Sequence, residues 1–137
     1  MKTRILIVSI YIFFTTSVTA QTKTEALKTH PGNSVEIIRY SIPNDQHANF
    51  EKAYDEACEY LKKSKYCLSF EVLHGDEEPD HYMVVINWTS KEEHLNGFRK
   101  SVEFVPFFTL VKPFYNNIDE MKHYYSTKTS SNKAEHE

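Results

Sequence analysis

Four polar side chains that could take part in acid–base chemistry lie within one aromatic segment of the sequence, residues 88–124. His94 and His123 are candidate proton acceptors, because an imidazole ordinarily titrates near neutral pH. Arg99 and the indole N–H of Trp88 are candidate donors to an oxyanion. These four residues form the candidate catalytic set.

Each of these residues also has a structural alternative. His94 falls in the first turns of a predicted helix, which favours exposure to solvent over a role as a base. Arg99 could instead form a surface ion pair, which is the commoner fate of such an arginine. Trp88 could be a core residue, and His123 could be a buried histidine or part of a polar cluster on one sheet face. The other members of that cluster would be Tyr40 and Glu71.

Aromatic side chains near the candidate catalytic set exceed what one small helix–sheet layer needs. The excess predicts either the lining of a cavity or a contact with a second subunit. Some of these aromatic residues should belong to the core. The candidates for substrate contact are Tyr82, Phe98, Phe104 and Phe108.

Apolar periodicity predicts four strands and two helices that would position these residues. The predicted strands are residues 35–42, 66–73, 82–88 and 118–125. The predicted helices are residues 44–63 and residues 91–114, the second of them broken. Ser90 followed by Glu93 is typical of a capping box at the start of the second helix. The order β-α-β-β-α-β predicts an α+β domain of the ferredoxin-like type.

The third predicted strand is apolar on both of its faces. Tyr82, Val84 and Ile86 lie on one face, and Met83 and Val85 lie on the other. Two helices can cover only one face of a four-stranded sheet, so the second face needs another partner. The sequence therefore predicts a homodimer in which two sheets pack face to face.

The ends of the chain are predicted to lie outside the folded domain. Residues 1–20 combine a basic start, a short apolar run and small residues before position 21, which indicates a secretory signal and a periplasmic or secreted protein. The run is too short for a spanning helix, so no stable membrane insertion is expected after cleavage; the alternative is an uncleaved anchor. Residues 21–34 are predicted to be a flexible leader, residues 35–125 the domain, and residues 126–137 a polar disordered tail.

Composition argues against several classes of function. Loss of residues 1–20 would remove two positive charges and shift the formal net charge from −3 to −5, which disfavours nucleic-acid binding. With three glycines there is neither a dinucleotide-binding fingerprint nor a phosphate loop. No histidine pair has a metal-ligand spacing, although His81 and His123 could meet in space. Cys58 and Cys67 could form a disulfide or remain two buried thiols.

The predicted layout resembles the antibiotic biosynthesis monooxygenase domain over residues 35–125. The resemblance is carried by the strand ending at Trp88, by Ser90, by the broken aromatic helix and by the closing strand around His123. It implies a dimeric α+β barrel with a pocket between sheet and helices. In cofactor-free members of that family, the deprotonated substrate itself reduces dioxygen.

The chain departs from the family pattern at two positions. Trp88 matches the family's pocket tryptophan. Val84 stands where some oxygenases have an asparagine, and Gly97 stands where many members have a histidine, so that His94 is the nearest histidine. Haem-degrading relatives need the asparagine, the tryptophan and the histidine together, and here only Trp88 matches.

The resemblance implies a cofactor-independent monooxygenase that oxidises a small aromatic molecule, such as a hydroquinone, with dioxygen. No cofactor and no metal are predicted. A non-catalytic dimer that binds a small apolar ligand is the alternative, and haem binding is a third possibility.

Overall fold

One antiparallel sheet forms the first layer of the domain, and the helices form the second. The computed structural model describes residues 33–127 and residue 129. The strands are β1 (Ser34–Ser41), β2 (Cys67–His74), β3 (His81–Trp88) and β4 (Ile118–Tyr125). Their order across the sheet is β2-β3-β1-β4, and every neighbouring pair is antiparallel. The ferredoxin-like α+β prediction is therefore confirmed.

Three α-helices lie among short 3-10 turns. They are α1 (His47–Lys63), α2 (Lys91–Asn96) and α3 (Phe104–Val111). The predicted broken helix is thus divided into α2 and α3, with a 3-10 turn at Phe98–Lys100 between them. Pro106 is tolerated because it lies in the first turn of α3, where a backbone N–H has no helical acceptor to lose.

The Ser90 hydroxyl caps α2 as the sequence predicts. It accepts a hydrogen bond from the Glu93 backbone N–H at 3.0 Å. A side-chain acceptor at this position satisfies one of the unpaired amides of the first turn. The cap fixes where α2 begins and therefore where His94, four residues further on, meets the sheet.

Alternation along the strands separates the two faces of the sheet. On β1, Glu36, Ile38 and Tyr40 are buried against the helices, while Ile37 is half-buried and Arg39 is exposed on the other face. From α1, four residues at helical spacing fill the core opposite the sheet. They are Phe50, Tyr54, Ala57 and Leu61.

Position 97 requires a glycine because neighbouring atoms leave no room for a side chain, and not because of its backbone angles. A Cβ at this position would lie 2.6 Å from the Tyr66 ring carbon Cζ and would also meet the Glu93 carbonyl. The histidine that the resemblance would place at this position would meet the same atoms. Because Gly97 has no side chain, the end of α2 can pack directly against the Tyr66 ring.

We expect Gly97→Ala to destabilise the domain by roughly 1–3 kcal/mol, because the added methyl group overpacks a filled site. Urea unfolding followed by circular dichroism would measure this change. The neighbouring Asn96→Ala, at an exposed position, is the control and should change stability by no more than about 0.5 kcal/mol. Equal stability of Gly97→Ala and the parent would contradict the packing argument.

The two cysteines are free thiols in the structure. Burial raises the pKa of each thiol to about 11. Of the two alternatives left open by the sequence, the structure therefore contains the unbridged pair.

The predicted secretory signal and most of the predicted leader and tail lie outside the described residues. β1 begins at Ser34, the last residue of the predicted leader. Within the described part of the chain, no helix is long and apolar enough to cross a membrane.

Candidate functional site

A cavity of about 220 Å³ lies between the sheet and the helices α1 and α3. Its walls are mostly aromatic and aliphatic. The aromatic wall residues are Phe98, Phe104, Phe107 and Phe108. One end of the cavity carries Glu36, His94 and Arg99, and this group is called the polar end below.

The Glu36 carboxyl group is buried at the polar end, and the residue is only 2% exposed. The Trp88 indole N–H donates to its Oε2 at 3.0 Å. Burial raises the pKa of Glu36, while the hydrogen bond from Trp88 and the positive charge of Arg99 act in the opposite direction. Glu36 is therefore a buried acid with one fixed hydrogen bond and one oxygen directed toward Arg99.

His94 is held between Trp88 and His123. Its ring stacks on the Trp88 indole, with centroids 4.2 Å apart and an interplanar angle of 5°. Its Nδ1 lies 2.8 Å from the Nε2 of His123. Its Nε2 accepts from the Arg99 Nε–H at 3.3 Å and lies 3.7 Å from the Glu36 carboxylate.

The hydrogen bonds determine which nitrogen of His94 carries the proton. The Arg99 Nε–H can only donate, so the His94 Nε2 must be the acceptor. A neutral His94 then carries its proton on Nδ1 and donates it to the His123 Nε2. This tautomer leaves the His94 Nε2 lone pair at the polar end, beside Arg99 and Glu36.

Both histidines are neutral at physiological pH. Burial, the charge of Arg99 and the neighbouring His123 lower the pKa of His94 to about 3. Burial lowers the pKa of His123 as well, helped by the charges of Lys91 and Arg99. A charged imidazole would lose hydration and face a guanidinium, so the neutral form is favoured.

Arg99 connects the polar end to solvent. Its Nη2 lies 4.0 Å from the Glu36 Oε1, and its side chain is 40% exposed. The sequence left open a surface ion pair for Arg99, but the structure places its guanidinium against a buried carboxylate and a buried imidazole. The Arg99 guanidinium can therefore contact an anion that is bound at the polar end of the cavity.

Two tyrosine hydroxyls also face the cavity. The hydroxyl oxygens of Tyr40 and Tyr54 lie 2.6 Å apart in a buried hydrogen bond. Burial is the largest cause that raises the pKa of Tyr40 to about 12, and it raises the pKa of Tyr54 as well. Both groups therefore stay protonated and provide hydrogen-bonding atoms without charge.

The structure brings most of the predicted site residues together. Trp88, His94 and Arg99 line the cavity, and His123 lies directly behind His94. The predicted substrate residues Phe98, Phe104 and Phe108 also line it.

Tyr82 does not line this cavity. Its hydroxyl donates to Glu51 at 2.6 Å, and its ring stacks on His74 with centroids 4.1 Å apart. Its register partner on β1, Tyr40, does line the cavity, so it is the contacts with Glu51 and His74 that place the Tyr82 side chain elsewhere. We therefore leave Tyr82 out of the candidate site.

The structure shows that the expected exposure of His94 is wrong, and it excludes the possible pairing of His81 with His123. His94 is buried, at 3% exposure, because α2 turns this residue toward the Trp88 ring and away from solvent. His81 does not meet His123, because on β1 they pair with Ser41 and Glu36 respectively, five residues apart. The histidine that meets His123 is His94.

Glu36 is the site residue that the sequence analysis missed. The polar cluster suggested for His123 contains Glu36 and not Glu71, which pairs with Val85 and is exposed. The alternation of residues along β1 could have indicated that Glu36 is buried, because it shares the inward face of the strand with Ile38 and Tyr40. A charged residue at a position where its neighbours are apolar is rarely buried without a partner.

Glu36, His94 and His123 are also the one group of possible metal ligands found among the described residues. Each offers one ligand atom, and the three atoms lie within 4.8 Å of one another.

Comparison with known proteins agrees with this fold. The sequence model for the antibiotic biosynthesis monooxygenase family matches residues 34–109. The uncharacterised protein YczJ of Bacillus subtilis is 27% identical over 89 residues, which cover 65% of this chain and 94% of YczJ.

Two solved structures show the same architecture at low sequence identity. A candidate antibiotic biosynthesis monooxygenase from Bordetella bronchiseptica superposes with a TM-score of 0.59 at 22% identity, covering 70% of this chain and 98% of that one. SnoaB, a cofactor-independent oxygenase from Streptomyces nogalater, superposes with a TM-score of 0.55 at 13% identity, covering 72% of this chain and 96% of its own.

The fold and the cavity place the protein among ferredoxin-like α+β domains with an aromatic pocket between sheet and helices. The chain belongs to the antibiotic biosynthesis monooxygenase family. The matched segment contains Glu36, Trp88, His94 and Arg99, whereas His123 lies beyond it.

Proposed function

We propose that the protein is an oxygenase that oxidises a small phenol or hydroquinone with dioxygen. The observation that carries this proposal is an aromatic cavity with an acid–base group at only one end. Family membership and the likeness in fold to a cofactor-independent oxygenase support it.

The size of the cavity sets the class of substrate. Its volume is about 220 Å³, and an engineered apolar cavity of roughly 150 Å³ is large enough to bind benzene. A single aromatic ring with one or two hydroxyl groups therefore fits, with the ring among the phenylalanines and a hydroxyl at the polar end.

His94 is the proposed proton acceptor. Its Nε2 lone pair lies at the polar end, where it accepts a hydrogen bond from Arg99. When a phenol replaces that donor, its hydroxyl donates to Nε2. Burial and the Arg99 charge hold the pKa of His94 at about 3, and displacement of the guanidinium removes the second of these causes, so Nε2 becomes a stronger proton acceptor. The Glu36 Oε2 lies 3.7 Å away, and an ionised Glu36 would stabilise the imidazolium that forms. Its Nδ1–H remains bonded to His123 and holds the ring in place.

Arg99 is the proposed anion partner. The sequence offered either Arg99 or the Trp88 indole for this role, but the indole N–H already donates to Glu36. Once displaced from His94, the Arg99 guanidinium can donate to the phenolate oxygen. The water-poor aromatic walls strengthen that interaction.

The reaction balances without an added reductant. The substrate loses two hydrogen atoms and gains one oxygen atom from dioxygen, while the second oxygen atom leaves as water. The electrons come from the phenolate ring. Removing the proton makes the ring a better reductant, which is the step that the polar end accelerates.

Two measurements on the purified protein test this proposal against its alternatives. An oxygen electrode records uptake with a panel of hydroquinones, and Trp88 fluorescence records ligand binding. We expect both signals with the same compound. Binding without uptake would support the non-catalytic ligand-binding alternative, and a Soret shift on adding haem would support the haem alternative.

Replacing Arg99 with lysine keeps the positive charge but removes the planar guanidinium. We expect oxygen uptake to fall by roughly tenfold or more, because a charge-assisted bond of about 1.5–3 kcal/mol to the phenolate is weakened. Lys100→Ala, the adjacent exposed cation, is the matched control. Uptake that is unchanged in Arg99→Lys would remove Arg99 from the mechanism.

We also propose that the active form is a homodimer joined through the outer sheet face. In the single chain, this face leaves Val35, Ile37, Met83 and Val85 only half-buried. Apart from Arg39, Asn87 and the strand ends, the face is apolar along β1 and β3, and such a surface is commonly covered by a partner.

We expect Val85→Asp to yield monomers or aggregates, because the carboxylate would lie at the centre of this face. Light scattering measures the mass. Glu71→Asp, a change at the register partner of Val85 that keeps its charge, is the control. A parent protein that is monomeric at micromolar concentration would contradict the dimer proposal.

A further inference from the structure

We infer that Glu36, His94 and His123 form a binding site for a divalent first-row transition-metal ion. The donors come from three different elements of the fold. Glu36 and His123 are direct partners across β1 and β4, and α2 places His94 close to both of them.

The arrangement is close to that of a metal centre. The three candidate ligand atoms lie within 4.8 Å of one another. An ion bound at about 2.0–2.2 Å from each donor would hold them roughly 3–4 Å apart. Side-chain rotations that move the donors about 1 Å are sufficient to close the site.

The donor set also has the right chemistry. Two neutral imidazoles and one carboxylate bind ions such as Zn²⁺ and Fe²⁺, and three protein ligands leave further positions open. Since Glu36 and His94 line the cavity, an open position would face a ligand bound there.

Neighbouring residues already orient two of the three donors. The Trp88 indole N–H fixes the Glu36 carboxylate, and the Trp88 ring stacks on His94. Metal sites commonly depend on such outer contacts to hold their ligands in place.

Arg99 is the competitor for this site. Its guanidinium donates to the His94 Nε2 and lies 4.0 Å from the Glu36 Oε1. Because its side chain is 40% exposed, it can turn toward solvent when an ion enters. Loss of the Arg99 charge should therefore strengthen metal binding.

The inference goes beyond the proposed oxygenase reaction, which needs no metal. A bound ion would occupy a nitrogen lone pair of His94 and restrain the imidazole ring. We therefore expect the ion to inhibit the oxygenase reaction. Metal binding is measured without any substrate, and its failure leaves the proposed function untouched.

The single tryptophan of the chain provides the readout. Co²⁺ is titrated into the full-length protein, prepared without a polyhistidine tag, while Trp88 fluorescence is followed. We expect saturable quenching with one ion per chain, reversed by excess Zn²⁺. Glu36→Gln and His123→Gln should each weaken binding by at least about tenfold, and Arg99→Gln should strengthen it several-fold.

His74→Ala is the control for adventitious binding, since His74 belongs to a separate group with His47 and Tyr82. Its quenching curve should match that of the parent, and circular dichroism establishes that each variant is folded. The inference is overturned if the folded parent shows no saturable quenching at millimolar Co²⁺. Folded Glu36→Gln and His123→Gln proteins that bind like the parent would also overturn it.

Discussion

Replacing His94 with alanine should lower the rate of oxygen consumption by roughly 10²–10⁴-fold, the usual contribution of a general base. The imidazole is the group at the polar end with a lone pair directed toward Arg99 and Glu36. Alanine removes that acceptor and leaves the phenolic proton on the substrate. Initial rates from an oxygen electrode, measured with the best hydroquinone of the panel, provide the value.

Two further variants make this result specific to His94. His123→Ala removes the acceptor of the His94 Nδ1–H but leaves the Nε2 lone pair, so its effect should be smaller. His74→Ala, outside the site, should consume oxygen like the parent. A folded His94→Ala protein with the parent's rate would show that another group accepts the proton.

Replacing Trp88 with alanine should destabilise the domain by about 3–5 kcal/mol, the usual range for a large buried aromatic residue. Trp88 is only 1% exposed and contacts both His94 and Phe98. Alanine would leave a cavity and also remove the indole N–H that donates to Glu36. Urea denaturation measures the loss in the free energy of unfolding.

Trp88→Phe separates the hydrogen bond from the packing. This variant keeps most of the ring contacts but leaves the buried Glu36 carboxyl unsatisfied, which costs about 1–3 kcal/mol. In a Glu36→Met background, Trp88→Phe should destabilise the domain by about 1–3 kcal/mol less than it does in the parent protein. Additive effects of the two substitutions would mean that the Trp88–Glu36 hydrogen bond contributes no net stability.

Strand and helix positions were predictable because their periodicity is strong. β1 and β3 alternate between apolar and mixed residues, and α1 repeats its apolar positions at helical spacing, so the core follows from the pattern. The break after α2 also has local causes, since Gly97 and Pro106 both lie within the predicted broken helix.

The candidate site was only partly predictable, because its contacts are long-range. Glu36 and Trp88 are 52 residues apart, and His94 and His123 are 29 apart. Local patterns show neither distance, so they favour exposure for His94 and do not bring Glu36 to the site. The sheet register places Glu36 beside His123, and the packing of α2 on the Trp88 ring buries His94.

Tyr82 shows that a local pattern can also assign to the site a residue that does not belong to it. It lies on the inward face of β3, as predicted, yet at the opposite end of the strand from Trp88. Tyr40, the register partner of Tyr82 on β1, lines the cavity, whereas Tyr82 directs its hydroxyl to Glu51 and stacks its ring on His74. Face alone therefore does not determine which aromatic residues share a site.

Isotope labelling tests the central claim most directly. The protein is incubated with a hydroquinone that it binds under ¹⁸O₂, and the product is analysed by mass spectrometry. A monooxygenase incorporates one ¹⁸O atom into the product and releases the other as water, and His94→Ala should slow the formation of labelled product by roughly 10²–10⁴-fold. An unlabelled hydroquinone recovered after incubation, despite saturated binding at Trp88, would contradict the account.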